Sequence, residues 1–308
     1  MSRASPEVSR RAVLGMLGAA AVLPPRLAGA AAGPALTRAI PSTGEQLPVI
    51  GMGTWITFNV GDDEALRAER AEVVRTFFER GGAVIDSSPM YGTSEEVIGH
   101  CLARIGHEGP LFAATKVWTP LKWFGPDQME ESRELWGVKR FDLMQIHNLL
   151  SWPGHLETLL EDKAAGRIRY LGVTTSHGRR HDELEQAMAT QPLDFVQFTY
   201  NILDREAEAR LLPLAAERGQ AVLINRPFRQ KQLFRLFEQH PLPDWASEID
   251  CANWAQFLLK FIVSHPAVTC AIPATSRVDH MAENMGALYG RLPDQAMRER
   301  MVRYVESL

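Results

Sequence analysis

Short apolar runs recur along this chain, and several of them stop on a polar side chain that can carry chemistry. Ala83-Val84-Ile85 runs into Asp86, Leu111-Phe112-Ala113-Ala114 is followed closely by Lys116, and Leu143-Met144-Gln145-Ile146 runs into His147. Runs of this length, bounded by turn residues, predict buried strands. Strands are predicted at 83–86, 111–116, 141–147, 169–174, 195–199, 221–225 and 268–272, with a first one ending at Gly51-Met52-Gly53-Thr54-Trp55. Helix-like segments alternate with them near 63–80, 94–105, 126–136, 154–165, 181–189 and 206–218. An irregular stretch at 226–247 then precedes a long helix reaching about His265. Gly81-Gly82, Gly166 and Gly219 each follow a helical segment, where a left-handed cap favours glycine. Eight strands with seven intervening helices and one after the last predict the α/β class and a (β/α)8 TIM barrel. Ile40 to Ile50 reads as two short strands around a Ser-Thr-Gly-Glu turn, an N-terminal β-hairpin plug. A doubly wound sheet is the competing topology. Against it, no strand runs into a G-x-G-x-x-G turn ahead of a helix.

The barrel reading changes the meaning of the polar strand ends, because chemistry in such barrels gathers at the C-terminal face of the strands. Composition adds little beyond that. At 308 residues and 45% hydrophobic, the chain is an ordinary globular one, which excludes disorder, collagen and a disulfide scaffold. Net charge is −4, and without the first thirty residues it becomes 29 basic against 36 acidic, or −7. An acidic body argues against nucleic acid as a partner. Cys101, Cys251 and Cys270 are too far apart for a Cys-x-x-Cys pair and read as small buried apolar residues.

The N-terminus has its own pattern. Ser9-Arg10-Arg11 opens a weakly apolar stretch to Leu23, too short to span a bilayer, and Ala28-Gly29-Ala30 follows with small residues at the positions a signal peptidase reads. This resembles a twin-arginine export signal. It implies a signal segment at 1–32, one barrel domain at 33–308, the export machinery as a partner, a periplasmic location and no stable membrane span after cleavage.

Asp86, Tyr91, Lys116 and His147 can work together. A phenol normally titrates near 10, and a neighbouring ammonium should lower that value. Lys116 is the candidate neighbour, Asp86 would anchor it by a charge-assisted hydrogen bond, and His147 could donate to a carbonyl oxygen. Such a set suits protonation of an oxygen as hydride from a cofactor reaches carbon. Taken singly, these residues would more often be a rim salt bridge and a satisfied polar group. Three classes compete: a nicotinamide-dependent carbonyl reductase, a cofactor-binding redox-sensing or regulatory subunit with little turnover, and a metal-dependent barrel hydrolase using His147 and Asp86. The hydrolase is poorly supported, since no third ligand stands at a strand end.

Asp86-Ser87-Ser88-Pro89-Met90-Tyr91-Gly92-Thr93-Ser94-Glu95, Ala114-Thr115-Lys116-Val117 and Leu143-Met144-Gln145-Ile146-His147-Asn148 resemble the three catalytic segments of the aldo-keto reductase family. Gly51 to Trp55, Gly172-Val173-Thr174-Thr175, Val196 to Asn201, Ile272-Pro273 and Glu283-Asn284 resemble further family segments in the same order. The resemblance implies a (β/α)8 barrel binding NAD(P)H without a Rossmann fold, NADP more than NAD, and a small-molecule carbonyl substrate. It implies that Tyr91 is the general acid, tuned by Lys116 and Asp86, and that His147 positions the carbonyl. It places Gly53, Thr54, Trp55, Asp86, Thr174, Thr175 and Gln197 around the nicotinamide. Asn225, Arg226, Pro227, Phe228, Thr275, Ser276 and Arg277 would approach the pyrophosphate and ribose, and Glu283 and Asn284 the adenine. Asn225 stands where many members stack an aromatic ring on the nicotinamide. Ala274 and His280 stand where members selective for the phosphorylated cofactor often have basic residues, and Arg277 is the substitute. Trp55, Met90, Trp118 and Asn148 fall on loops at the same face and would form the substrate pocket.

Overall fold

A strand buried on both sides sends alternate side chains into two different apolar environments, and the eight barrel strands do this throughout. The computed structural model describes residues 33–106 and 109–308, so the expected export segment lies outside the described residues. The barrel strands are β3 (Met52–Gly53), β4 (Val84–Asp86), β5 (Phe112–Val117), β6 (Phe141–Ile146), β7 (Ile168–Thr174), β8 (Phe195–Thr199), β9 (Ala221–Asn225) and β10 (Cys270–Ala271). They pair in parallel in chain order from β3 to β10. Backbone bonds from Gly51 N to Ala271 O (2.8 Å), Ala271 N to Val49 O (3.0 Å) and Gly53 N to Pro273 O (3.1 Å) close the ring. The closure needs glycine at 53, where a Cβ would lie 2.7 Å from Ile272 O.

Val84, Phe112, Ala114, Leu143, Tyr170, Phe195, Ala221, Leu223, Cys270 and Ile272 form one buried cluster inside the barrel. Their neighbours in sequence, among them Ile85, Ala113, Met144, Leu171, Val196, Val222 and Ala271, join the larger cluster under the helices. Phe112, Tyr170 and Phe195 form a ring triangle with centroids 5.5 to 5.9 Å apart. Below it sits the hairpin of β1 (Thr37–Ala39) and β2 (Gln46–Pro48), which contributes Ile40 and Leu47 to the inner cluster. Tyr170 Oη donates to Glu45 Oε2 (2.7 Å) and lies 2.9 Å from Thr43 Oγ1, fastening the plug.

The helices are α1 (Glu64–Glu79), α2 (Ser94–Ile105), α3 (Gly125–Trp136), α4 (Trp152–Ala164), α5 (His181–Thr190), α6 (Leu211–Arg218), α7 (Gln232–Phe237), α8 (Trp254–Val263), α9 (Val278–Gly286) and α10 (Gln295–Glu306). Three departures from the sequence expectation have local causes. The segment expected as one helix at 206–218 is a 3-10 turn at Glu206–Glu208 followed by α6. Pro213 forbids a continuous helix there, because its ring would clash with the carbonyl four residues back. The stretch 226–247 holds α7 and the start of a 3-10 turn at Asp244–Ile249. The following helix begins only at Trp254, where Asn253 Oδ1 accepts from Gln256 N at 3.0 Å. Two helices, α9 and α10, follow the last strand instead of one. Among the described residues no helix is long and apolar enough to cross a membrane, and all three cysteines are free and buried.

Candidate active site

The side chains that line the upper barrel are the next inward positions above the apolar cluster. Asp86 lies two residues beyond Val84, Lys116 two beyond Ala114, Gln145 two beyond Leu143, and Gln197 two beyond Phe195. Strand alternation therefore stacks a polar layer on an apolar one. Within it, Lys116 is 0% exposed, and its Nζ donates to Asp86 Oδ1 and to Ser87 O, both at 2.6 Å. Asp86 Oδ2 accepts from Gln145 Nε2 (2.9 Å) and Gln197 Nε2 (3.1 Å). Thr54 Oγ1 lies within hydrogen-bonding range of Asp86 O (3.1 Å) and Ser87 Oγ (2.9 Å). Asp86 is thus surrounded by donors and held as an anchor.

Tyr91 comes from a 3-10 turn at Pro89–Tyr91, capped by Ser88, whose Oγ accepts from Met90 N at 3.2 Å. The Lys116 ammonium lies 5.3 Å from the centre of the Tyr91 ring, and two of its three protons are already committed to Asp86 and Ser87. The third is the one available to the phenol. His147 begins a second 3-10 turn at His147–Leu149, its ring edge-on to Tyr91 with centroids 5.6 Å apart, and its Nδ1 lies 2.9 Å from Ser88 Oγ. Asn148, Leu149 and Ser151 follow in left-handed conformations (φ 52°, 55° and 49°), a strained path. Bonds from Asn148 N to Thr174 Oγ1 (2.9 Å) and from Arg180 Nη1 to Asn148 O (2.6 Å) hold it in place.

Electrostatics correct one expectation. Desolvation raises the Tyr91 phenol above its usual value, and the charge and hydrogen bonding of Lys116 offset only part of that rise. The phenol is therefore more firmly protonated than a free tyrosine, not more acidic. Burial pulls the Lys116 pKa down, but Asp86, Tyr91 and Glu95 together hold it above the ordinary lysine value. Burial, assisted by the Lys116 charge, drops the His147 pKa to about 3, so this imidazole is neutral at physiological pH. Glu95 accepts from Thr115 Oγ1 (2.5 Å), Ser132 Oγ (2.8 Å) and Trp136 Nε1 (3.2 Å), yet burial raises its pKa.

The residues expected around a nicotinamide occupy one side of this layer. Gln197 points inward to Asp86 and to Gln145 Oε1 (3.2 Å). Asn225 accepts from Thr199 Oγ1 (2.8 Å) and donates to Thr175 O (2.8 Å). Thr175 Oγ1 is buried without any partner, the kind of orphan a carboxamide would satisfy. Gly53 and Thr54 are buried and Trp55 is half-buried beside them. Further out, Arg226 is half-buried and makes no ion pair among the described residues, Pro227 is buried, and Phe228 packs inward on Phe234 with ring centroids 4.7 Å apart. The Phe228 ring therefore belongs to the core, and only its backbone stays on the loop. Thr275 is buried and accepts from Arg277 N (3.2 Å), and Ser276 O accepts from Arg70 Nη1 (3.2 Å). Arg277 is exposed and paired with Asp279. On α9, Glu283 is exposed and Asn284 buried.

Of the expected pocket residues, Met90 and Trp118 are exposed and Asn148 is half-buried. Trp118 also walls a groove of about 470 Å³ with Pro89, Pro120, Phe124 and Leu150. Trp123 projects into solvent. Sequence reasoning placed Gln145, Ser87, Ser88 and Glu95 inside the catalytic segments but gave none of them a role. Gln145 had a signal, because an amide inside a buried strand must find partners; the two serines had none.

Residues 49–300 match the Aldo/keto reductase family. The chain is 29% identical over 209 residues to aldo-keto reductase YhdN of Bacillus subtilis, covering 60% of each protein. It is 27% identical over 252 residues to methylglyoxal reductase YeaE of Escherichia coli, covering 79% of this chain and 86% of that one. An aldo/keto reductase from Klebsiella pneumoniae, solved in complex with NADP and acetate, superposes with a TM-score of 0.72 at 25% identity, covering 85% of this chain and 93% of that one. The (β/α)8 barrel and the extent of the family match place this protein in the Aldo/keto reductase family, whose members are oxidoreductases.

Proposed function

We propose that this protein reduces an aldehyde or ketone to an alcohol, using NADPH as hydride donor and Tyr91 as general acid. The observation that carries the reading is the buried Lys116, fixed by Asp86 and Ser87 with its last proton left for Tyr91. NADPH-type cofactors bound by the Klebsiella pneumoniae relatives support the choice of cofactor, as does the orphaned Thr175 Oγ1. When bound, NADPH supplies hydride to the carbonyl carbon.

The protein's own part is proton delivery and charge control. Desolvation keeps Tyr91 protonated at neutral pH, so a proton is ready for the carbonyl oxygen. As it leaves, the phenolate forms beside an ammonium that Asp86 keeps charged, a stabilisation absent from the ground state that grows as the proton moves. Neutral His147 adds no positive charge to the site and is suited to hydrogen-bond the carbonyl. Thr174, Thr175 and Gln197 would hold the carboxamide side. Arg226 and Arg277 would meet the phosphates, with Arg277 first released from Asp279. Trp55, Met90, Trp118 and Asn148 would wall the carbonyl pocket.

The test is oxidation of NADPH with 4-nitrobenzaldehyde. Turnover is expected, and Tyr91→Phe is expected to abolish it. Tight nucleotide binding with no turnover of any carbonyl would favour a regulatory subunit. We also propose export through the Arg10-Arg11 segment, supported by the sequence pattern alone; normal export after both arginines are changed to Lys would refute it.

A further inference from the structure

The hydroxyl of Ser88 is fully buried at the foot of the His147 ring, and its proton has to go somewhere. Ser88 Oγ already accepts one hydrogen bond, from Met90 N at 3.2 Å. Its other neighbour is His147 Nδ1 at 2.9 Å, and no other acceptor lies within reach of the hydroxyl among the described residues. Were Nδ1 protonated, Oγ would accept twice and leave its own proton buried and unpaired, which costs as much as a lost hydrogen bond. The arrangement is satisfied only when the hydroxyl donates to Nδ1. A neutral imidazole carries a single ring proton, so that proton must then sit on Nε2. Among the described residues His147 Nε2 has no hydrogen-bond partner and is not one of the buried unpaired atoms, so it keeps some exposure, on a ring that stands edge-on to Tyr91.

We propose that Ser88 is a positioning residue that fixes His147 in the Nε2–H tautomer, so that a hydrogen-bond donor and not an acceptor faces the substrate oxygen. The chain Met90 N–H to Ser88 Oγ, Ser88 O–H to His147 Nδ1, and Nε2–H to carbonyl polarises in one direction. It ties the catalytic 3-10 turn after β4 to the histidine that follows β6, 59 residues further along. The role assigned to Nε2 rests on the carbonyl-reductase reading; the tautomer itself does not.

The first test uses the wild-type protein labelled with 15N in histidine, without substrate, reading the His147 ring nitrogens by long-range 1H–15N correlation assigned with His147→Gln. Protonation at Nε2 with Nδ1 as a hydrogen-bonded acceptor is expected, and protonation at Nδ1 overturns the proposal whether or not the protein turns over any carbonyl. The second test is kinetic. Ser88→Ala is expected to lower kcat/KM about 5- to 10-fold, the size of one neutral hydrogen bond. Ser88→Thr, which keeps the hydroxyl, should restore most of it, and Ser88→Ala should add no further loss in a His147→Gln background. An undiminished kcat/KM in Ser88→Ala, or an equal loss in the His147→Gln background, also overturns it.

Discussion

Replacing Asp86 with Asn keeps the shape of the side chain and reverses the logic of its surroundings. Three donors converge on the carboxylate: Lys116 Nζ on Oδ1, and Gln145 and Gln197 Nε2 on Oδ2. An amide can accept on one atom only, so its NH2 must face a donor, and Lys116 loses the charge that offsets its burial. Breaking a buried ion pair from one side costs about 3–5 kcal/mol. At about 2–4 °C per kcal/mol for larger domains, the melting temperature should fall on the order of 10 °C. The pH dependence gives a sharper test. In the wild type the Lys116 pKa stands above 10.5, so its stabilisation is complete below that pH and is lost only as pH rises through the folded value. In Asp86→Asn, burial dominates and drives the folded pKa below 10.5. The native state is then penalised at neutral pH and should recover stability as pH climbs toward 10. Urea midpoints at several values between pH 7 and 10 measure both slopes. Parallel curves for the two proteins, or a loss under 1 kcal/mol at pH 7, would show that Asp86 and Lys116 do not hold one another.

Tyr91→Phe should reduce kcat by at least 100-fold, the scale of a lost general acid, with little change in unfolding midpoint. His147 titrates at about 3 in the native state against 6.5 unfolded, so the wild type should lose stability as pH falls below 6.5, at about 1.4 kcal/mol per pH unit beyond the loss in His147→Gln; equal acid profiles would contradict its burial as a neutral ring. Because Asp279 occupies the Arg277 guanidinium, Asp279→Ala should tighten NADPH more than NADH, and Arg277→Ala should weaken NADPH selectively by about 10-fold in fluorescence titration. Gly92→Ala should destabilise the Tyr91 turn, since Gly92 has φ 64° and a Cβ would lie 2.4 Å from Asn59 Oδ1; turnover and melting temperature should fall together.

Much of the barrel was legible because strand burial leaves a strong imprint. Phe195–Thr199 and Ala221–Asn225 were read to the residue, as was α2. Polar residues ending apolar runs marked the upper layer for the same reason, since an isolated charge inside a barrel needs a partner. The sign of the Tyr91 shift was not legible. It depends on how much water the phenol loses against how close the ammonium comes, and neither is a property of local sequence. Ser88 was opaque likewise, because its partner lies 59 positions away and serine is unremarkable in a turn. The C-terminal third was harder still: α9 is set by packing on α1 and α8, and the pattern of apolar residues there does not separate α7, α9 and α10.

The two-residue alternation that puts Lys116 and Asp86 above the inner apolar cluster also restricts how this protein can change. Gain or loss of one residue inside a barrel strand swings every later side chain of that strand from the lumen to the helix layer, so β5 altered by a single codon would hide its lysine under α2 and α3. Insertions are tolerated freely only beyond the strand ends. New substrate preferences can therefore be grafted onto the loops that follow β5 and β9 while the proton-handling layer beneath them stays in register.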